Sequence, residues 1–414
     1  MNMYLAFILF ILLVEYVLTL IVEVLNVKHA SPTLPEEFAG VYDAGKYSES
    51  QNYLKDTTRF SLIRETVVTL VTVSFILAGG FNLVDQFARR LVHGPIPTGL
   101  IFSGILTLVS YLLGLPFSVY RTFVIEAKYG FNKTTVKTFV SDIIKSLLLG
   151  GLIGSILMTG IIWFFLRAGS FAWAYCWLAV MAFQLFLAFI APVVILPLFN
   201  KFIPLEEGEL KTAIETYARS QRFALRGIFK MDASRRSTKS NAFFVGFGRF
   251  RRIALFDTLI QKHTTSELVS VLAHEIGHYK KKHFIKALAL SFITTGLMFF
   301  VLQFFLNNQK LFDAFRMQYI SIYGSIVFFS FLYSPINMIL AILHNIMSRH
   351  HEYEADAFTI STYQQPEAFI SALKKLSVAN FSNLTPHPLK VFLDYTHPPV
   401  LKRIEAIREK KTDV

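Results

Sequence analysis

Seven stretches of the chain are both apolar enough and long enough to cross a lipid bilayer as a helix, which takes about 20 residues. They cover residues 3–27, 66–87, 97–120, 146–166, 171–199, 284–306 and 320–348. One very large soluble core is the alternative, but such a core does not require apolar residues to fall in blocks of bilayer length. The pattern therefore predicts an all-α polytopic membrane protein with seven transmembrane helices.

The composition agrees with a membrane protein and excludes some kinds of site. Hydrophobic residues make up 53% of the 414 positions and charged residues 17%, with 42 Phe. The mean hydropathy is +0.48. This apolar share exceeds that of ordinary soluble domains. Cys176 is the single cysteine, so the chain can form neither an intrachain disulfide nor a cysteine-based zinc or iron–sulfur cluster.

The basic residues predict how the spans are oriented. With seven alternating spans, the segments that share one side hold 36 of the 41 Lys and Arg, and these segments are 28–65, 121–145, 200–286 and 349–414. Cytoplasmic segments of membrane proteins carry this kind of excess. The bias predicts that these segments and the C-terminus are cytoplasmic and that the N-terminus is outside. It also explains the net charge of +13 without a nucleic-acid partner.

The spans divide the chain into four parts. Residues 1–199 hold five spans and their loops, 200–283 form a cytoplasmic segment, 284–348 hold the last two spans, and 349–414 form a cytoplasmic tail. Within the second part, 241–247 and 252–256 have the composition of short strands and are separated by Gly248. A short β-hairpin is therefore predicted beside otherwise helical structure. Because both polar parts lie on one side, they can build one site together.

Residues 272–278 contain the pattern H-E-x-x-H within a helical run that begins near Thr265. His274 and His278 are four residues apart, so both imidazoles face one side of a helix and can bind a single Zn²⁺ ion. Glu275 lies beside the metal, where it can take a proton from a zinc-bound water and pass it to a leaving amine. The pattern predicts a zinc metalloprotease with one ion per chain. Because it also occurs by chance, a third ligand decides the matter.

A dense group of acids and histidines directly after the seventh span offers the third ligand that catalytic zinc needs. If the helix continues past the span, Glu352 and Asp356 lie on one face and Glu354 points elsewhere. Glu352 then suits the metal, and Asp356 suits a supporting contact to a zinc-bound imidazole. His350 and His351 are rival ligands by residue type. The residues by themselves favour Glu352 without excluding either histidine.

Six separated motifs extend over most of the chain. They are EAKYGFNK at 126–133, PLFNKF at 197–202, SNAF at 240–243, HEIGH at 274–278, N-x-x-S-R-x-x-E-x-x-A-D at 345–356, and HPP at 397–399. In this combination the chain resembles one family, the integral-membrane type I CAAX prenyl proteases, which are zinc metalloendopeptidases of the gluzincin kind. A match to all six motifs is far more specific than a match to H-E-x-x-H alone.

The resemblance implies a barrel-like ring of seven tilted helices around a large water-filled chamber, with a zincin-like zinc site near its cytoplasmic end. It makes Glu352 the third zinc ligand and Asp356 its supporting neighbour. It matches His397 to a histidine that contacts the substrate carbonyl and would stabilise the developing oxyanion, with Arg403 as a second contributor. Without the resemblance, His397 reads as a turn histidine before Pro398.

The resemblance also implies where a substrate binds. The residues Asn241, Ala242, Phe243 and Phe244 would form an edge strand along which an extended peptide binds through backbone hydrogen bonds. A hairpin with a purely structural role would have the same sequence, and the two roles are compatible. The expected partners are the lipid bilayer and a peptide or protein substrate, which the name reaction of the family makes an isoprenylated one.

The natural substrate and the source of the chain are less constrained. The name reaction of the family is cleavage near the C-terminus of an isoprenylated Cys-a-a-X peptide, and a membrane quality-control metalloprotease of broad specificity would share its chemistry. Only residues 307–319 separate the last two spans. Eukaryotic members of the family that the chain resembles often carry a longer insertion before the third ligand, so the resemblance implies a bacterial member in the inner membrane. A metal transporter is the remote alternative. It would favour ligands near mid-membrane, whereas His274 and Glu352 are predicted at the cytoplasmic ends of spans.

Other ionisable residues have less specific predicted roles. Glu15 and Glu23 lie eight residues apart in the first span, on nearly one helical face, and are expected to face the chamber rather than lipid. Residues 280–282 are lysines, and His283 follows them. These four residues are predicted to mark the cytoplasmic membrane interface.

Overall fold

The structure, a computed structural model, describes residues 2–245 and 252–412 of the chain. Seven helices in these ranges are long and apolar enough to span a membrane, which confirms the predicted number of spans. As spans 1 to 7, they are Met3–His29, Ala44–Leu77, Pro95–Lys128, Val136–Arg167, Gly169–Phe199, His283–Phe305 and Ile322–Tyr363. A helix satisfies its backbone polar groups internally, which is what a segment in hydrocarbon requires.

The spans form a closed ring in sequence order. Spans 3 to 7 each contact the next, span 7 contacts span 1, and span 1 contacts span 2. Spans 2 and 3 meet where Phe60 packs against Phe117 and stacks on Tyr120. Ala168 alone separates span 4 from span 5, and so short a connection makes neighbouring helices antiparallel. The order of the spans around the ring is therefore their order along the chain.

The ring is hollow between two caps. At one end, the short helices Gly80–Leu91 and Gln309–Ala314 belong to an apolar cap in which the rings of Phe81, Phe315 and Phe328 meet. The sheet and its helices close the other end. Between the caps, only 6 to 22% of the most apolar stretch of each span is buried. Because other parts of the chain cover so little of each span, the spans face open space inside the ring as well as lipid outside it.

The second span differs from its predicted bounds. The sequence predicts a helix over 66–87, whereas span 2 ends at Leu77 and a new helix begins at Gly80. Gly79 between them has a φ of +72°, a left-handed conformation that ends helices and favours glycine. A Cβ at Gly80 would lie 2.4 Å from the ring of Phe75, so a side chain has no room there. The break lets the second helix join the cap instead of extending the span.

The polar segment after span 5 contains a four-stranded sheet rather than an isolated hairpin. The strands are β1 Phe202–Pro204, β2 Gly227–Met231, β3 Ala242–Val245 and β4 Arg252–Phe256, in the order β1-β2-β4-β3. β3 and β4 are antiparallel, as predicted, and the predicted turn at Gly248 lies outside the described residues. β2 is parallel to β4 and antiparallel to β1. The sequence does not reveal β1, because three residues are too few to show an alternation.

Six further helices of the described residues complete the end of the ring that carries the sheet. They are Glu209–Ser220, Asp257–Lys262, Thr265–Lys280, Pro366–Asn380, Pro388–Asp394 and Val400–Thr412. One apolar core joins Leu255 of β4 to Leu272 of the helix Thr265–Lys280. A second core joins Phe38, in the loop between spans 1 and 2, to Phe369 and Ile404 of the C-terminal helices. The polar segments at this end of the ring therefore pack as one unit.

Span 7 is a single helix of 42 residues that continues from the apolar region into the polar tail. It crosses the predicted division between residues 348 and 349 without a break. Gly277 of the helix Thr265–Lys280 packs against it, and a Cβ at Gly277 would lie 3.2 Å from the backbone of Ala355. Two small residues at one crossing let the two helix backbones come close. This contact decides which side chains of the two helices meet.

Candidate active site

The helix Thr265–Lys280, the motif helix, is held at its N-terminus and along one face. Thr264 caps it, because its hydroxyl accepts a hydrogen bond from the backbone of Glu267, whose carboxylate accepts one from the backbone of Thr264 at 2.9 Å. Leu268 and Leu272, four residues apart, are buried in the core with the sheet. The two motif histidines are left on the face that meets span 7.

His274, His278 and Glu352 form the first cluster, in which the ligand atoms converge. Nε2 of His274 lies 3.1 Å from Nε2 of His278. Oε2 of Glu352 lies 3.3 Å from the first of these nitrogens, and Oε1 lies 3.2 Å from the second. The structure thus brings together, from two helices, the three residues that the sequence proposes as metal ligands, although His274 and Glu352 are 78 residues apart along the chain.

The geometry and charge of the first cluster fit a zinc ion. Ligands of a tetrahedral ion with bonds of about 2.0–2.1 Å lie roughly 3.3 Å apart, close to the separations in the cluster. Oε2 of Glu352 is buried without a hydrogen-bond partner, which is costly for an ionised oxygen. Ionised Glu275, Glu352 and Asp356 beside Arg403 leave an excess of negative charge. A divalent cation would bring this buried group closer to balance.

Asp356 and Arg403 support His274 from behind. Nδ1 of His274 lies 2.9 Å from Oδ1 of Asp356 and donates its proton there, which leaves the Nε2 lone pair for a metal. Nε and Nη2 of Arg403 donate to the same carboxylate at 2.8 and 2.6 Å. Nη1 of Arg403 lies 3.3 Å from Oε2 of Glu352. The resemblance proposes the Arg403 guanidinium as a second group that stabilises the oxyanion. In the structure this guanidinium is shared between the carboxylates of Asp356 and Glu352.

His283, His351 and Glu354 form a second cluster on the other side of His278. Nδ1 of His278 lies 2.9 Å from Nδ1 of His283, and Nε2 of His283 lies 2.8 Å from Oε2 of Glu354. The His351 ring stacks on His283 with their centroids 4.0 Å apart. The rival ligand His351 therefore belongs to this cluster, while the other rival, His350, has a side chain that is 72% exposed.

The position of His283 is a feature that sequence reasoning missed. His283 is predicted, with the lysines before it, to mark the membrane interface, but it is 5% exposed and faces His278 instead. Lys282 has a φ of +57°, so the motif helix ends and span 6 begins at His283 with a new direction. Lysine rarely adopts this conformation, and no local pattern predicts it. The sequence offers one signal for this contact, which is that His283 follows the candidate ligand His278 by only five residues.

Glu275 follows the first ligand histidine and flanks the cluster without joining it. Successive residues of a helix point about 100° apart, so Glu275 cannot face the same direction as His274 and His278. Burial raises the pKa of the Glu275 carboxyl above its ordinary value. A general base works best when its pKa approaches the working pH, so this environment suits proton transfer.

His397 faces the first cluster from the loop before the C-terminal helix. Its Nε2 lies 3.4 Å from Oε1 of the buried Glu352, yet 64% of its side chain is accessible. His397 can contact a buried carboxylate and still be accessible only if open space adjoins the cluster. The site therefore opens to the chamber. Nδ1 of His397 lies 2.9 Å from the Thr396 hydroxyl, which can donate to it and leave the ring proton on Nε2. Partial desolvation beside the cluster lowers the pKa of His397, so the ring, although accessible on one side, presents a neutral N–H donor.

Side chains of span 7 also donate hydrogen bonds to the segment that precedes His397. The Asn345 amide donates to one main-chain carbonyl of residues 391–395 at 2.6 Å, and the Arg349 guanidinium donates to two others at 2.9 and 2.6 Å. Arg349 precedes Glu352 on the same helix by about one turn, and Asn345 precedes it by about two. The helix that carries the candidate ligand therefore also positions His397.

β3 is an edge strand beside the motif helix. It pairs with β4 on one side, with Ala242 opposite Leu255, and within the described residues no strand lies on its other side. β3 also contacts the motif helix. The residues proposed from the sequence to bind substrate lie on β3 or directly before it, namely Asn241, Ala242, Phe243 and Phe244. The edge of β3 that does not pair with β4 has the geometry that strand addition by an extended peptide requires.

Two family models match almost the whole chain. Residues 23–201 match the model described as CAAX prenyl protease N-terminal, five membrane helices. Residues 204–411 match the model of peptidase family M48, a metal-dependent family. The first matched region holds spans of the ring, and the second holds both helices of the first cluster. Fold, site and family models together define an integral-membrane metalloprotease.

Relatives of known class are similar over nearly their full length. The CAAX prenyl protease 1 homolog of Oryza sativa subsp. japonica is 36% identical over 391 residues, which is 91% of each chain. The CAAX prenyl protease 1 of Saccharomyces cerevisiae is 33% identical, over 93% of this chain and 91% of the relative. The homolog of Homo sapiens is 32% identical, over 91% and 89%.

A solved structure shows the same fold. The crystal structure of S. mikatae Ste24p matches with a TM-score of 0.92 and 31% sequence identity, over 98% of this chain and 99% of that chain. The chain belongs to peptidase family M48 and is a multi-pass membrane metalloprotease of the Ste24 type. This assignment confirms the family resemblance and the predicted class of enzyme, and it excludes the transporter alternative.

Proposed function

We propose that the chain is a zinc-dependent endopeptidase whose reaction takes place at the first cluster, where the ring opens to its chamber. The observation that carries this proposal is the convergence of His274, His278 and Glu352, whose ligand atoms lie 3.1, 3.2 and 3.3 Å apart beside Glu275. Zinc held by these three residues would supply Lewis-acid polarisation of the scissile carbonyl and acidification of a water molecule.

Glu275 acts as general base and then as general acid. It accepts one proton from the attacking water, whose oxygen forms the new bond to the carbonyl carbon. It then gives this proton to the peptide nitrogen as the C–N bond breaks, so that the amine leaves as a neutral group. Because burial raises the pKa of Glu275, the carboxyl holds the proton long enough to deliver it.

His397 donates a hydrogen bond from Nε2 to the carbonyl oxygen as negative charge develops there. Its accessible ring and the contacts of Arg349 with the preceding loop support this role. Asp356 and Arg403 act as positioning residues, because they hold His274 in the tautomer that leaves Nε2 free. A direct contribution of Arg403 to the oxyanion would come from Nη1, the nitrogen that lies beside Glu352.

The substrate is an extended peptide that lies along the free edge of β3. Backbone hydrogen bonds to a strand edge align a peptide largely without regard to its side chains. Cleavage near the C-terminus of an isoprenylated Cys-a-a-X segment is the specific reaction proposed, since several relatives are named CAAX prenyl proteases. A ring embedded in the bilayer suits such a substrate, because the lipid chain can stay in apolar surroundings while the peptide reaches the cluster.

The active site faces the cytoplasm, and the N-terminus lies outside. The support is the charge distribution, since the four segments on the side of the sheet hold 36 of the 41 Lys and Arg. In a bacterium the membrane would be the inner membrane. The bacterial origin suggested by the short connection 307–319 stays a prediction, and the relatives compared above are eukaryotic.

The test compares purified, detergent-solubilised wild type with Glu275→Gln on two peptides of one sequence, one farnesylated and one not. The substitution should lower the cleavage rate by roughly 10²–10⁴-fold, the usual contribution of a general base, with zinc per chain unchanged. Glu206→Gln, at an exposed position on the same side of the ring, is the matched control and should cleave at the wild-type rate.

Equal cleavage by wild type and Glu275→Gln would contradict the proposal, as would purified proteins that bind no zinc. The two peptides separate the substrate classes. Faster cleavage of the farnesylated peptide supports CAAX-type specificity, and equal rates support a protease of broad specificity.

A further inference from the structure

The second cluster has the donor set of a metal site. His283, His351 and Glu354 offer one ligand atom each, and these atoms lie within 4.8 Å of one another. His283 and His351 are 5% and 6% exposed. Two buried imidazoles beside a carboxylate are ligands that zinc and related divalent ions prefer. We propose that the second cluster is a second divalent-cation site, weaker than the first and coupled to it through His278.

His283 must change its tautomer before such a site can bind a cation. Because Nε2 of His278 faces the first cluster, the proton between the two Nδ1 atoms, 2.9 Å apart, belongs to His278. Nδ1 of His283 therefore accepts a hydrogen bond, and its Nε2 carries the proton that is donated to Glu354 at 2.8 Å. When a cation binds Nε2, the neutral ring must carry its single proton on Nδ1 instead, where it opposes the Nδ1–H group of His278.

Two neighbours must move when a cation enters, which makes this site the weaker one. Nζ of Lys286 lies 3.2 Å from the Glu354 oxygen that faces His283, but its side chain is 47% exposed and can turn toward solvent. The His351 ring is nearly parallel to His283, with 10° between the planes, so it must rotate to share an ion. Leaving a preferred side-chain rotamer costs on the order of 1 kcal/mol.

The coupling passes through a single hydrogen bond. The imidazole that supports a metal-binding histidine tunes its orientation and basicity, and loss of such support typically costs roughly 10–100-fold in metal affinity or activity. With a cation on Nε2, Nδ1 of His283 carries a proton and no longer accepts the hydrogen bond from Nδ1 of His278. Filling the second cluster should therefore weaken zinc binding at the first cluster and lower the activity, so that excess zinc inhibits the enzyme.

The test is a zinc titration of the full-length, detergent-solubilised protein after removal of bound metal. Zinc per chain is measured at equilibrium as the free zinc concentration rises. Wild type should bind two ions in two separate steps. His351→Phe keeps an aromatic ring for the stack on His283 but removes one ligand, and it should lose the weaker step alone. Glu354→Gln should lose the same step through a different ligand.

His344→Phe is the matched control, because His344 is an exposed histidine on the same helix and lies outside both clusters. It should keep both binding steps. Folding of each variant is checked by the tighter step, which requires an intact first cluster. Cobalt in place of zinc gives a second readout, since its visible absorption reports the ligands of each ion.

Three results would overturn the proposal. They are a single zinc step in wild type, a second step that survives both His351→Phe and Glu354→Gln, and inhibition by zinc that is unchanged in His351→Phe. None of these results bears on catalysis at the first cluster, because the tighter zinc ion and the effect of Glu275→Gln are measured separately. The two proposals can therefore fail independently.

Discussion

Two clusters of the same composition lie side by side in this protein, each with two histidines and one glutamate. Both take their glutamate from span 7, two residues apart, and they share the hydrogen bond between His278 and His283. In the first cluster, Oε2 of Glu352 is buried without a hydrogen-bond partner. In the second, Glu354 already accepts from His283 and pairs with Lys286. The two clusters therefore differ in the residues that contact their glutamates and not in the types of their candidate ligands.

Charge balance explains what the difference means for metal binding. Around the first cluster, Arg403 is shared by Glu352 and Asp356, so one negative charge is left over even before Glu275 ionises. Around the second cluster, the ammonium of Lys286 balances the single carboxylate of Glu354. Unbalanced buried charge is costly, so the first cluster gains more than the second from binding a cation. The residue types of the ligands therefore do not decide which of two sites binds a metal ion more tightly. The charges of the residues around the ligands decide it.

The largest expected effect comes from removing the charge on each glutamate in turn. Glu352→Gln removes a candidate ligand of the first cluster and should lose the tightly held zinc and all measurable cleavage. Glu354→Gln should keep that zinc, with activity reduced by no more than the roughly 10–100-fold expected for a supporting group. Zinc per chain and cleavage rate are measured together. Loss of tight zinc from Glu354→Gln alone would reverse the ranking of the clusters.

A large effect on rate without an effect on zinc is expected at His397. His397→Ala removes a donor for the oxyanion, and loss of one such donor costs roughly 10²–10³-fold in kcat. Because His397 is not among the converging ligands, zinc affinity should stay at the wild-type value. Arg349→Lys, which loosens the loop before His397, should lower kcat less and in the same direction. A matching loss of zinc in His397→Ala would instead place this residue among the ligands.

Asp356→Asn tests whether the support behind His274 is as important as charge balance suggests. The change should weaken zinc affinity by roughly 10–100-fold, measured by competition with a chelator. It also leaves Arg403, which is 9% exposed, without its main partner, and breaking a buried pair in this way costs roughly 3–5 kcal/mol. A variant that kept wild-type zinc affinity and melting temperature would show that the first cluster does not depend on this support.

Another buried histidine, His263, provides a reference that has no hydrogen bond to a carboxylate, and its effect should be the smallest. Burial lowers the pKa of His263, and its Nε2 has no hydrogen-bond partner. In the unfolded chain a histidine has a pKa of about 6.5, so below this pH the unfolded state binds more protons than the folded state. Stability should therefore fall as the pH drops from about 6.5 toward the folded pKa of His263.

His263→Gln removes this titration while retaining a donor for the carbonyl of Leu259, which Nδ1 of His263 meets at 3.0 Å. Its melting temperature should fall less than that of wild type between pH 7 and pH 5. Equal shifts in the two proteins would mean that His263 does not contribute to acid sensitivity. The comparison also shows how a buried histidine behaves when neither a cation nor a carboxylate balances it.

Most of the membrane part follows from local sequence properties. Bilayer length, apolar composition and the uneven distribution of Lys and Arg are visible in short windows, so all seven spans could be predicted. The break at Gly79 could not be placed, because apolar composition continues across it and the left-handed backbone at Gly79 has no distinctive local pattern. The parallel pairing of β2 with β4 was also hidden, since it joins segments more than 20 residues apart.

The sequence by itself determined the seven spans, the motif helix with His274, Glu275 and His278, and a short set of third ligands, because helical spacing is a local property. Only the tertiary structure decided which of that set meets the histidines, how Arg403 is shared, and that His283 turns back onto His278. These outcomes depend on the close crossing of Gly277 and Ala355 and on the left-handed backbone at Lys282. Contacts between distant segments are set by packing, which no local pattern records.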